Sequence, residues 1–415
     1  MIKELYKNRT IRNGALFSLF AFVNSGFQFA LSFVVAKFLP PDAYGHISLF
    51  NTTTTIFGFF ICLNTAGIVS VNFFRRGETE VKRSINTVMA ITIICYIILS
   101  IMVLLFNSLI ERTVGFGFQL QIIALTICFF NVFVNMNLEL WRIEEEVIPY
   151  GVFSLLKMLL FFGLTIFLIL GMNLSWFGQA YANFWSCLLF FILSVFFLIK
   201  RGYLTKIRPN KESLQDSLSY GVPLIPHSIS FWLKQGIDRI IINGFYGATA
   251  VGLFGFSGNF SSIINIFGQA FNATNSVYVF KNMANEQPDT RKKLKKQIFL
   301  MAVIFALITV LVCVSIRFVI ERFFPAYSDC INFVYIQCVT AYASCIYILF
   351  VNFIFFFKKT KVLMIITFSF SVLQAVMSFW LTRYSIYYTL IIGLICQCLI
   401  TVSVVIYSQK LYRII

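Results

Sequence analysis

The stretch FLPPDAYGHISLFNTTTTIFGFF at residues 38–60 recurs in weak form as FYGATAVGLFGFSGNFSSIINIF at residues 245–267. A constant shift of 207 residues, half of the 415-residue chain to within one residue, aligns the two segments and places Gly45 opposite Gly252. We interpret the pair as an internal repeat that divides the chain into two similar halves, with chance similarity of two apolar segments as the alternative. Each glycine begins a helix after a tight turn, where a side chain is expected to crowd the neighbouring helix end.

The composition excludes a soluble globular protein. Hydrophobic residues make up 59% of the chain and charged residues 12%, and the mean hydropathy is +0.85, whereas soluble domains carry about 25% charged residues. The 51 Phe and 18 Tyr against only 8 Pro also exclude a disordered or collagen-like chain. Nine of the ten Cys lie inside apolar runs without metal-ligand spacing, so we interpret them as small apolar side chains.

Apolar runs of about 20 residues, the length that crosses about 30 Å of hydrocarbon, predict an all-α integral membrane protein. Helices are required because backbone groups in lipid must be satisfied within their own segment. Twelve runs are found, six in each half. Because six is even, both halves enter the membrane in the same direction, so the two six-helix lobes are expected to be parallel repeats around a central polar cavity. The twelve predicted spans lie near residues 13–38, 47–71, 85–109, 119–141, 150–170, 176–199, 217–243, 250–278, 298–317, 331–356, 362–382 and 386–408. The predicted domains are a cytoplasmic N-terminus at 1–12, an N-terminal lobe at 13–199, a cytoplasmic linker at 200–216, a C-terminal lobe at 217–408 and a cytoplasmic tail at 409–415.

The distribution of Lys and Arg predicts the orientation of the chain. With the N-terminus in the cytoplasm, 25 of the 33 Lys and Arg fall in inner segments and four in outer loops, which is a strong positive-inside bias. Both termini are therefore expected in the cytoplasm, and the net charge of +17 reflects topology rather than a nucleic-acid partner. The cluster RKKLKK at residues 291–296 could also bind anionic membrane lipid, although a topological charge is the simpler interpretation.

The predicted span at 217–243 contains the most unusual polar residues. A charge at the bilayer centre costs about 2.5 to 3.5 kcal/mol, so each one requires an explanation. On a continuous helix, His227, Lys234 and Asp238 lie within about 40° of one another. Lys234 and Asp238 can form an ion pair that locks helix packing, or the stripe can line a water-filled substrate cavity. Arg239 lies off this face, near the outer end, where it can snorkel or pair with an outer acid.

Other predicted spans carry polar stripes with few charges. Amides in membrane helices are often contacts between helices, but several such stripes together indicate a bundle around one aqueous passage. Pro223 and Pro226 predict a kink, and Lys157 is expected to snorkel to the cytoplasmic surface. The stripes comprise Asn24 and Gln28 in the first span, Asn131, Asn135, Glu139 and Arg142 in the fourth, and Ser261, Asn265, Gln269 and Asn272 in the eighth.

The sequence contains no recognisable catalytic constellation. There are only two His, and no Gly-rich phosphate loop precedes a helix. We therefore expect a transporter without a cofactor, driven by an ion gradient, a partner or the gradient of its substrate.

Three segments resemble the polysaccharide (O-antigen, Wzx-type) flippases of the multidrug/oligosaccharidyl-lipid/polysaccharide (MOP) exporter superfamily, whose fold is that of the MATE transporters. They are VAKFLPPDAYGHISLF at 35–50, NFFRRGETEVKR at 72–83 and SYGVPLIPHSISFWLKQGIDRIIINGFYGATAVGLFGFS at 219–257. The similarity is most specific at Pro40, Tyr44, Gly45, Pro223, Pro226, Asp238, Arg239 and Gly252.

This resemblance implies a flippase of the bacterial inner membrane. It would move an undecaprenyl-pyrophosphate-linked sugar repeat unit from the cytoplasmic to the periplasmic leaflet by alternating access, with a polysaccharide polymerase and a chain-length regulator as partners. In this interpretation Lys234 attracts the pyrophosphate or acidic sugars. Asp238, Glu139 and His227 are the candidates for coupling to H⁺ or Na⁺.

Two other functions stay open from the sequence. The first is a drug or metabolite exporter of the same superfamily. The second is an enzyme, an O-antigen polymerase or membrane glycosyltransferase, but such an enzyme usually needs a large outer loop, and the longest predicted outer loop, near 318–330, is an ordinary connection.

Overall fold

The computed structural model describes residues 9–75, 77–205, 208–284, 287–357 and 359–413, apart from a few side chains within helices. Throughout these residues the regular structure is helical, and no strand is present. The helices are α1 (Arg9–Phe38), α2 (Pro41–Ile61), α3 (Gly67–Arg75), α4 (Glu78–Leu105), α5 (Asn107–Val114), α6 (Phe118–Ile143), α7 (Val147–Ile166), α8 (Phe177–Lys200), α9 (Lys211–Gly221), α10 (Ile225–Gln235), α11 (Ile237–Ala284), α12 (Thr290–Phe323), α13 (Ile331–Phe356), α14 (Thr360–Leu381) and α15 (Ile386–Leu411).

Ten segments are long and apolar enough to cross a bilayer, judged by length and composition within the described residues. The all-α class is therefore confirmed, whereas the predicted count of twelve spans is not. The ten segments are Leu16–Phe38, Glu78–Leu105, Phe118–Ile143, Val147–Gly171, Phe177–Lys200, Ile237–Asn272, Thr290–Phe323, Pro325–Phe356, Thr360–Leu381 and Ile386–Leu411.

The second and seventh predicted spans are not among these ten segments, and each has a physical reason. In the second predicted span, Asn51 and four threonines lower the hydropathy of α2, and the chain then breaks after Ile61, where Leu63 and Asn64 take positive φ angles. Leu in this left-handed region is strained, so the helix cannot continue through it.

The seventh predicted span is divided into several pieces. A 3₁₀ turn at Val222–Leu224 separates α9 from α10, and Gly236 separates α10 from α11. Pro223 and Pro226 cannot donate backbone hydrogen bonds, which disfavours a continuous α-helix here. The predicted kink is thus present as a full interruption.

The chain divides into two compact units. The first unit comprises the residues up to Leu39 together with His46–Ile229, and the second comprises Pro40–Gly45 and Ser230–Ile415. Within the first unit, α9 packs on α4, where the Ser213 hydroxyl lies 2.8 Å from that of Thr87. α1 begins at Arg9 and α15 continues to Leu411. The predicted boundaries of the cytoplasmic segments and of the two lobes stay predictions.

Aromatic side chains account for much of the core of the first unit. Trp141 packs edge-on against Phe153 at 5.2 Å between ring centroids, and Phe153 against Phe190 at 4.8 Å. Phe191 stacks on Phe130 at 4.7 Å. These contacts join α6, α7 and α8. They show how a Phe-rich sequence forms a specifically packed core.

In the second unit, the two glycines of the sequence repeat meet backbone to backbone. A Cβ atom added to Gly45 would lie 1.8 Å from the carbonyl oxygen of Ala248, and one added to Gly252 would lie 1.8 Å from that of Pro41. Ala248 is 207 residues after Pro41, so the contact is symmetric in the register of the predicted repeat. The expectation that a side chain would crowd the neighbouring helix end is confirmed.

Candidate functional site

The first unit contains an open cavity of about 480 Å³ with a mixed polar and apolar lining, which we call the first-unit cavity. Sites for small molecules typically enclose about 300 to 1,000 Å³. Its walls come from α2, α3, α6 and the connection between α2 and α3. It is lined by Thr54, Thr55, Gly58, Ile61, Cys62, Ala66, Gly67, Ser70, Cys128, Asn131, Val132, Asn135, Met136, Glu139 and Arg142.

One wall of the cavity is the polar stripe of α6. Asn131, Asn135, Glu139 and Arg142 all line the cavity, so the prediction that they share one side of a helix is confirmed. Arg142 forms an ion pair with Glu139 at 2.6 Å, and Ser70 Oγ donates a hydrogen bond to the same carboxylate at 2.5 Å. The stripe therefore presents an anion, a cation and two amides to one space.

The opposite wall carries threonine hydroxyls from α2. Thr54 and Thr55 donate to the backbone carbonyls of Phe50 and Asn51, each at 2.8 Å. Because each hydroxyl donates its only hydrogen to a carbonyl of its own helix, it can only accept further hydrogen bonds. A ligand at this wall would thus need to donate hydrogen bonds, as a sugar hydroxyl or an amine can.

Lys157 does not extend to the cytoplasmic surface, so the predicted snorkelling of this side chain is wrong. Its Nζ donates to Asn131 Oδ1 at 2.6 Å, which ties α7 to the polar stripe of α6. The thiol of Cys187 also approaches the Asn131 carbonyl oxygen, at 3.6 Å. A second cation is therefore held directly behind an amide that lines the cavity.

The polar residues predicted in α1 lie outside the cavity lining. Asn24 donates to the Ser154 hydroxyl of α7 at 3.1 Å, a contact between helices. Gln28 is exposed on the surface of the first unit. Their assignment to a substrate cavity stays a prediction.

Two positions of the predicted span-seven stripe meet a polar residue from another helix of the second unit. Asp238 is buried, with 5% of its surface exposed, and its Oδ2 accepts a hydrogen bond from Gln374 of α14 at 2.9 Å. The same amide nitrogen of Gln374 donates to the backbone oxygen of Lys234 at 3.2 Å. A membrane carboxylate thus has an amide donor, while its Oδ1 has no hydrogen-bond partner among the described residues.

The Lys234–Asp238 ion pair, one of the two alternatives for this stripe, is not formed within the described part of the chain. The i, i+4 relation requires a continuous helix, but the helix is interrupted at Gly236 between them. Arg239 is half-buried on the far side of this interruption. The side chain of His227 lies outside the described residues, so its predicted place on the stripe stays a prediction.

The predicted amides of α11 differ in their surroundings. Asn272 accepts a hydrogen bond from Asn352 of α13 at 2.7 Å, Asn265 is half-buried and Gln269 is exposed. Asn272 is thus a helix contact, as single amides in membrane helices often are.

The structure adds residues that the sequence analysis did not single out. Ser70, Thr54 and Thr55 complete the first-unit cavity, and Gln374 completes the Asp238 cluster. The polar run NTTTT at 51–55 interrupts an otherwise apolar segment, and this pattern could have indicated that the threonines line a polar site. Among the described residues, no group of three or more His, Cys, Asp or Glu is placed to hold a metal ion.

A connected polar cluster fixes the ends of α6 and α8, just beyond the cavity. Glu144 pairs with Arg201 and accepts a hydrogen bond from the hydroxyl of Tyr203. The Arg201 guanidinium also lies 5.5 Å from the centre of the Trp141 ring. Burial lowers the pKa of Arg201, while the interaction with Tyr203 raises it.

Comparison with known proteins identifies the architecture. Over 93% of this chain and 94% of the other, the structure matches an inward-facing multidrug resistance MATE family transporter of the MOP superfamily, with a TM-score of 0.72 and 15% identity. It matches the inward closed conformation of the lipid II flippase MurJ with a TM-score of 0.72 and 14% identity, over 95% of this chain and 87% of the other. The fold is therefore that of the MOP-superfamily transporters, and the chain is a multi-pass membrane protein.

Two proteins of Haemophilus influenzae are similar in sequence. An uncharacterized membrane protein is 24% identical over 258 residues, and Lsg locus putative protein 1 is 23% identical over 258 residues. The matched region spans 60% of this chain and of the first relative, and 61% of this chain and of the second. A sequence model of the polysaccharide biosynthesis protein family matches residues 10–278, more than half of the chain. Together with the superfamily fold, this match confirms the resemblance found in the sequence: the chain belongs to the polysaccharide biosynthesis protein family.

Proposed function

We propose that this protein is a flippase for lipid-linked oligosaccharides. Its substrate would be an undecaprenyl-pyrophosphate-linked repeat unit of O-antigen or a related polysaccharide, moved from the cytoplasmic to the periplasmic leaflet of a bacterial inner membrane. The observation that carries the proposal is the first-unit cavity, a space of about 480 Å³ lined by amides, hydroxyls and one ion pair inside an apolar helical unit. A polar headgroup can occupy such a space while its polyprenyl tail stays in lipid.

The chemistry of the cavity suits a glycan attached to an anionic group. Asn131 and Asn135 can both donate to and accept from sugar hydroxyls, and Thr54 can accept from them. Arg142, near the end of α6, is the cation placed to attract a phosphate, and Lys157 of α7 is a second cation that binds Asn131 from behind the same wall. In the second unit, Lys234 is proposed to attract a pyrophosphate or an acidic sugar.

The amide wall offers a direct test of this proposal. In cells whose surface polysaccharide depends on the protein, the double variant Asn131→Ala and Asn135→Ala is expected to lose most of that polysaccharide at unchanged membrane abundance. Lipid-linked repeat units should then accumulate on the inner leaflet. The matched control is Asn86→Ala, which removes an amide of the same unit that bonds Tyr203 and Thr205 rather than the cavity. Normal polysaccharide in the double variant would contradict the proposal.

For coupling, we propose that Asp238 exchanges H⁺ or Na⁺ during transport. A buried membrane carboxylate with a free oxygen is a natural place for a proton or a monovalent cation. Glu139 and His227 stay secondary candidates. Asp238→Asn should preserve folding, since the amide can keep one oxygen for Gln374, yet remove the dependence of transport on the ion gradient. Gradient-dependent transport by Asp238→Asn would contradict this role.

For topology and partners, we propose cytoplasmic termini and a functional association with a polysaccharide polymerase and a chain-length regulator. A cysteine introduced at residues 244–249 should react with an impermeant thiol reagent from outside, and one at 281–297 should not. The opposite labelling would contradict the topology.

A drug exporter is the alternative that one observation favours. Glu139 places a carboxylate in the first-unit cavity, where it could bind a cationic compound. That function predicts resistance to cationic dyes on overexpression and no polysaccharide defect on deletion, the reverse of the flippase outcome.

A further inference from the structure

The start of α12 carries a dense cluster of cations. Arg291, Lys292, Lys293, Lys295 and Lys296 lie within two helical turns, and Asp289 is the only acid in residues 289–296. All five cations are exposed on the surface of the second unit. Because a helix macrodipole disfavours cations in the first turns, helix stability does not explain their presence.

The direction of these lysines is fixed by the buried face of the same helix. Leu294 and Ile298 are buried, with 1% and 9% of their surfaces exposed. At about 100° per residue, Lys292 and Lys296 project from the side opposite to Leu294. They therefore do not face the protein interior.

The face that carries Lys292 and Lys296 continues as a stripe of exposed apolar side chains. This stripe contains Phe299 at 71% exposure, Leu307 at 63% and Val314 at 77%. In a membrane protein such a stripe faces lipid. Lys292 and Lys296 are therefore cations on the lipid-facing side, rather than on a side turned to open water.

The depth of the lysines matches the headgroup layer of a bilayer. Lys296 precedes Phe299 by three residues and Lys292 precedes it by seven, which at about 1.5 Å per residue corresponds to about 5 to 10 Å along the helix. The polar layer on each side of the hydrocarbon is about 5 to 8 Å thick. With Phe299 at the level of the acyl chains, the ammonium groups would lie at the level of the lipid phosphates.

The helix start is anchored to the C-terminal part of the second unit, so the cluster is not a loose charged tail. The Arg291 guanidinium lies 5.2 Å from the centre of the Tyr412 ring, and Tyr412 stacks on Phe353. None of the carboxylates that the structure describes forms an ion pair with Lys292 or Lys296. The cations are oriented without a protein anion to neutralise them.

We propose that Lys292 and Lys296, flanked by Lys293 and Lys295, form a binding surface for the headgroup of an anionic phospholipid whose acyl chains lie along the Phe299–Val314 stripe. The occupant is a lipid rather than a protein or a nucleic acid, because the cationic patch is continuous with a lipid-facing apolar stripe. This surface is separate from the first-unit cavity and does not depend on the proposed transport activity.

The experiment uses the purified full chain in nanodiscs of phosphatidylcholine with increasing phosphatidylglycerol. Bound phosphatidylglycerol is counted by native mass spectrometry after release. An interfacial lysine contributes about a five-fold change in affinity for an anionic lipid, so the double variant Lys292→Gln and Lys296→Gln is expected to need about 30-fold more phosphatidylglycerol for half occupancy. The matched control, Lys359→Gln and Lys361→Gln, makes the same change in net charge at the start of α14.

Three results would overturn the proposal. The first is an unchanged midpoint in the Lys292 and Lys296 variant. The second is an equal shift in the control variant, which would indicate an effect of overall charge. The third is displacement of phosphatidylglycerol by millimolar inorganic pyrophosphate, which would indicate a site for phosphate rather than for a lipid. A normal size-exclusion profile of both variants shows that folding is not the cause of the shift.

Discussion

The backbone contact between Gly45 and Gly252 makes a sharp prediction for the single substitution Gly252→Ala. The added methyl group would lie 1.8 Å from the Pro41 carbonyl oxygen, 2.7 Å from the Pro41 carbonyl carbon and 3.0 Å from the Gly45 backbone nitrogen. Ordinary contacts between carbon and oxygen begin at about 3.3 Å. One backbone must therefore move by about 1.5 Å, because no flexible side chain is present to yield.

The cost of this displacement follows from known overpacking penalties. Inserting a methyl group into a well-packed region typically costs about 1 to 3 kcal/mol, and the upper end applies here because both groups are backbone. We expect Gly252→Ala to lower the folded yield and the apparent melting temperature clearly. Gly45→Ala should have an equal effect, since its methyl group meets Ala248 in the symmetric position. The two substitutions should be non-additive because they disrupt one contact.

The assay is the apparent melting temperature and monodisperse yield of the purified chain in detergent. Gly163→Ala is the matched control, because nothing lies within 4 Å of a Cβ added at Gly163. This control should be neutral or slightly stabilising, by up to about 1 kcal/mol from helix propensity. Wild-type stability in Gly252→Ala, or equal losses in Gly163→Ala, would refute the close-contact explanation.

Two further predictions concern polar contacts of the first unit. Arg201→Ala should destabilise the protein by about 2 kcal/mol because it leaves Glu144, whose side chain is only 19% exposed, without its cation. By contrast, Arg317→Ala removes an ion-pair partner that is 74% exposed and should cost less than about 1 kcal/mol in the same thermal assay. Equal losses would show that burial does not decide the effect. Lys157→Met should keep the apolar volume of the side chain but remove its hydrogen bond to Asn131. We expect transport to fall while the melting temperature stays within a few degrees of the wild-type value. Unchanged transport would show that this lysine only supports helix packing.

The helical class and the close approach at the two glycines could be predicted because they depend on local composition and on backbone sterics. The α6 stripe could also be predicted, since α6 is a continuous helix and the 3.6-residue period places Asn131, Asn135, Glu139 and Arg142 on one side. These are properties of single segments. A single sequence is sufficient when the relevant geometry is that of one helix.

The failures share one cause, which is that tertiary contacts and helix interruptions are not visible in the hydropathy pattern. An ion pair of Lys234 and Asp238 was one of two alternatives for a continuous helix, but the break at Gly236 removes that geometry and Asp238 accepts a hydrogen bond from Gln374 instead. Lys157 was expected to reach the surface because its distance along the helix allowed it. The side chain instead binds Asn131 of a neighbouring helix, which no local rule reveals.

The central claim is tested most directly by reconstituting the purified chain in vesicles that contain a lipid-linked oligosaccharide with a labelled sugar. The fraction of sugar accessible to an impermeant modifying enzyme is followed in time. With the wild-type protein, the accessible fraction should rise well above that in protein-free vesicles, and the Asn131→Ala and Asn135→Ala variant should remain near the protein-free level. A wild-type rate equal to that of empty vesicles, under an imposed H⁺ or Na⁺ gradient, would contradict the account.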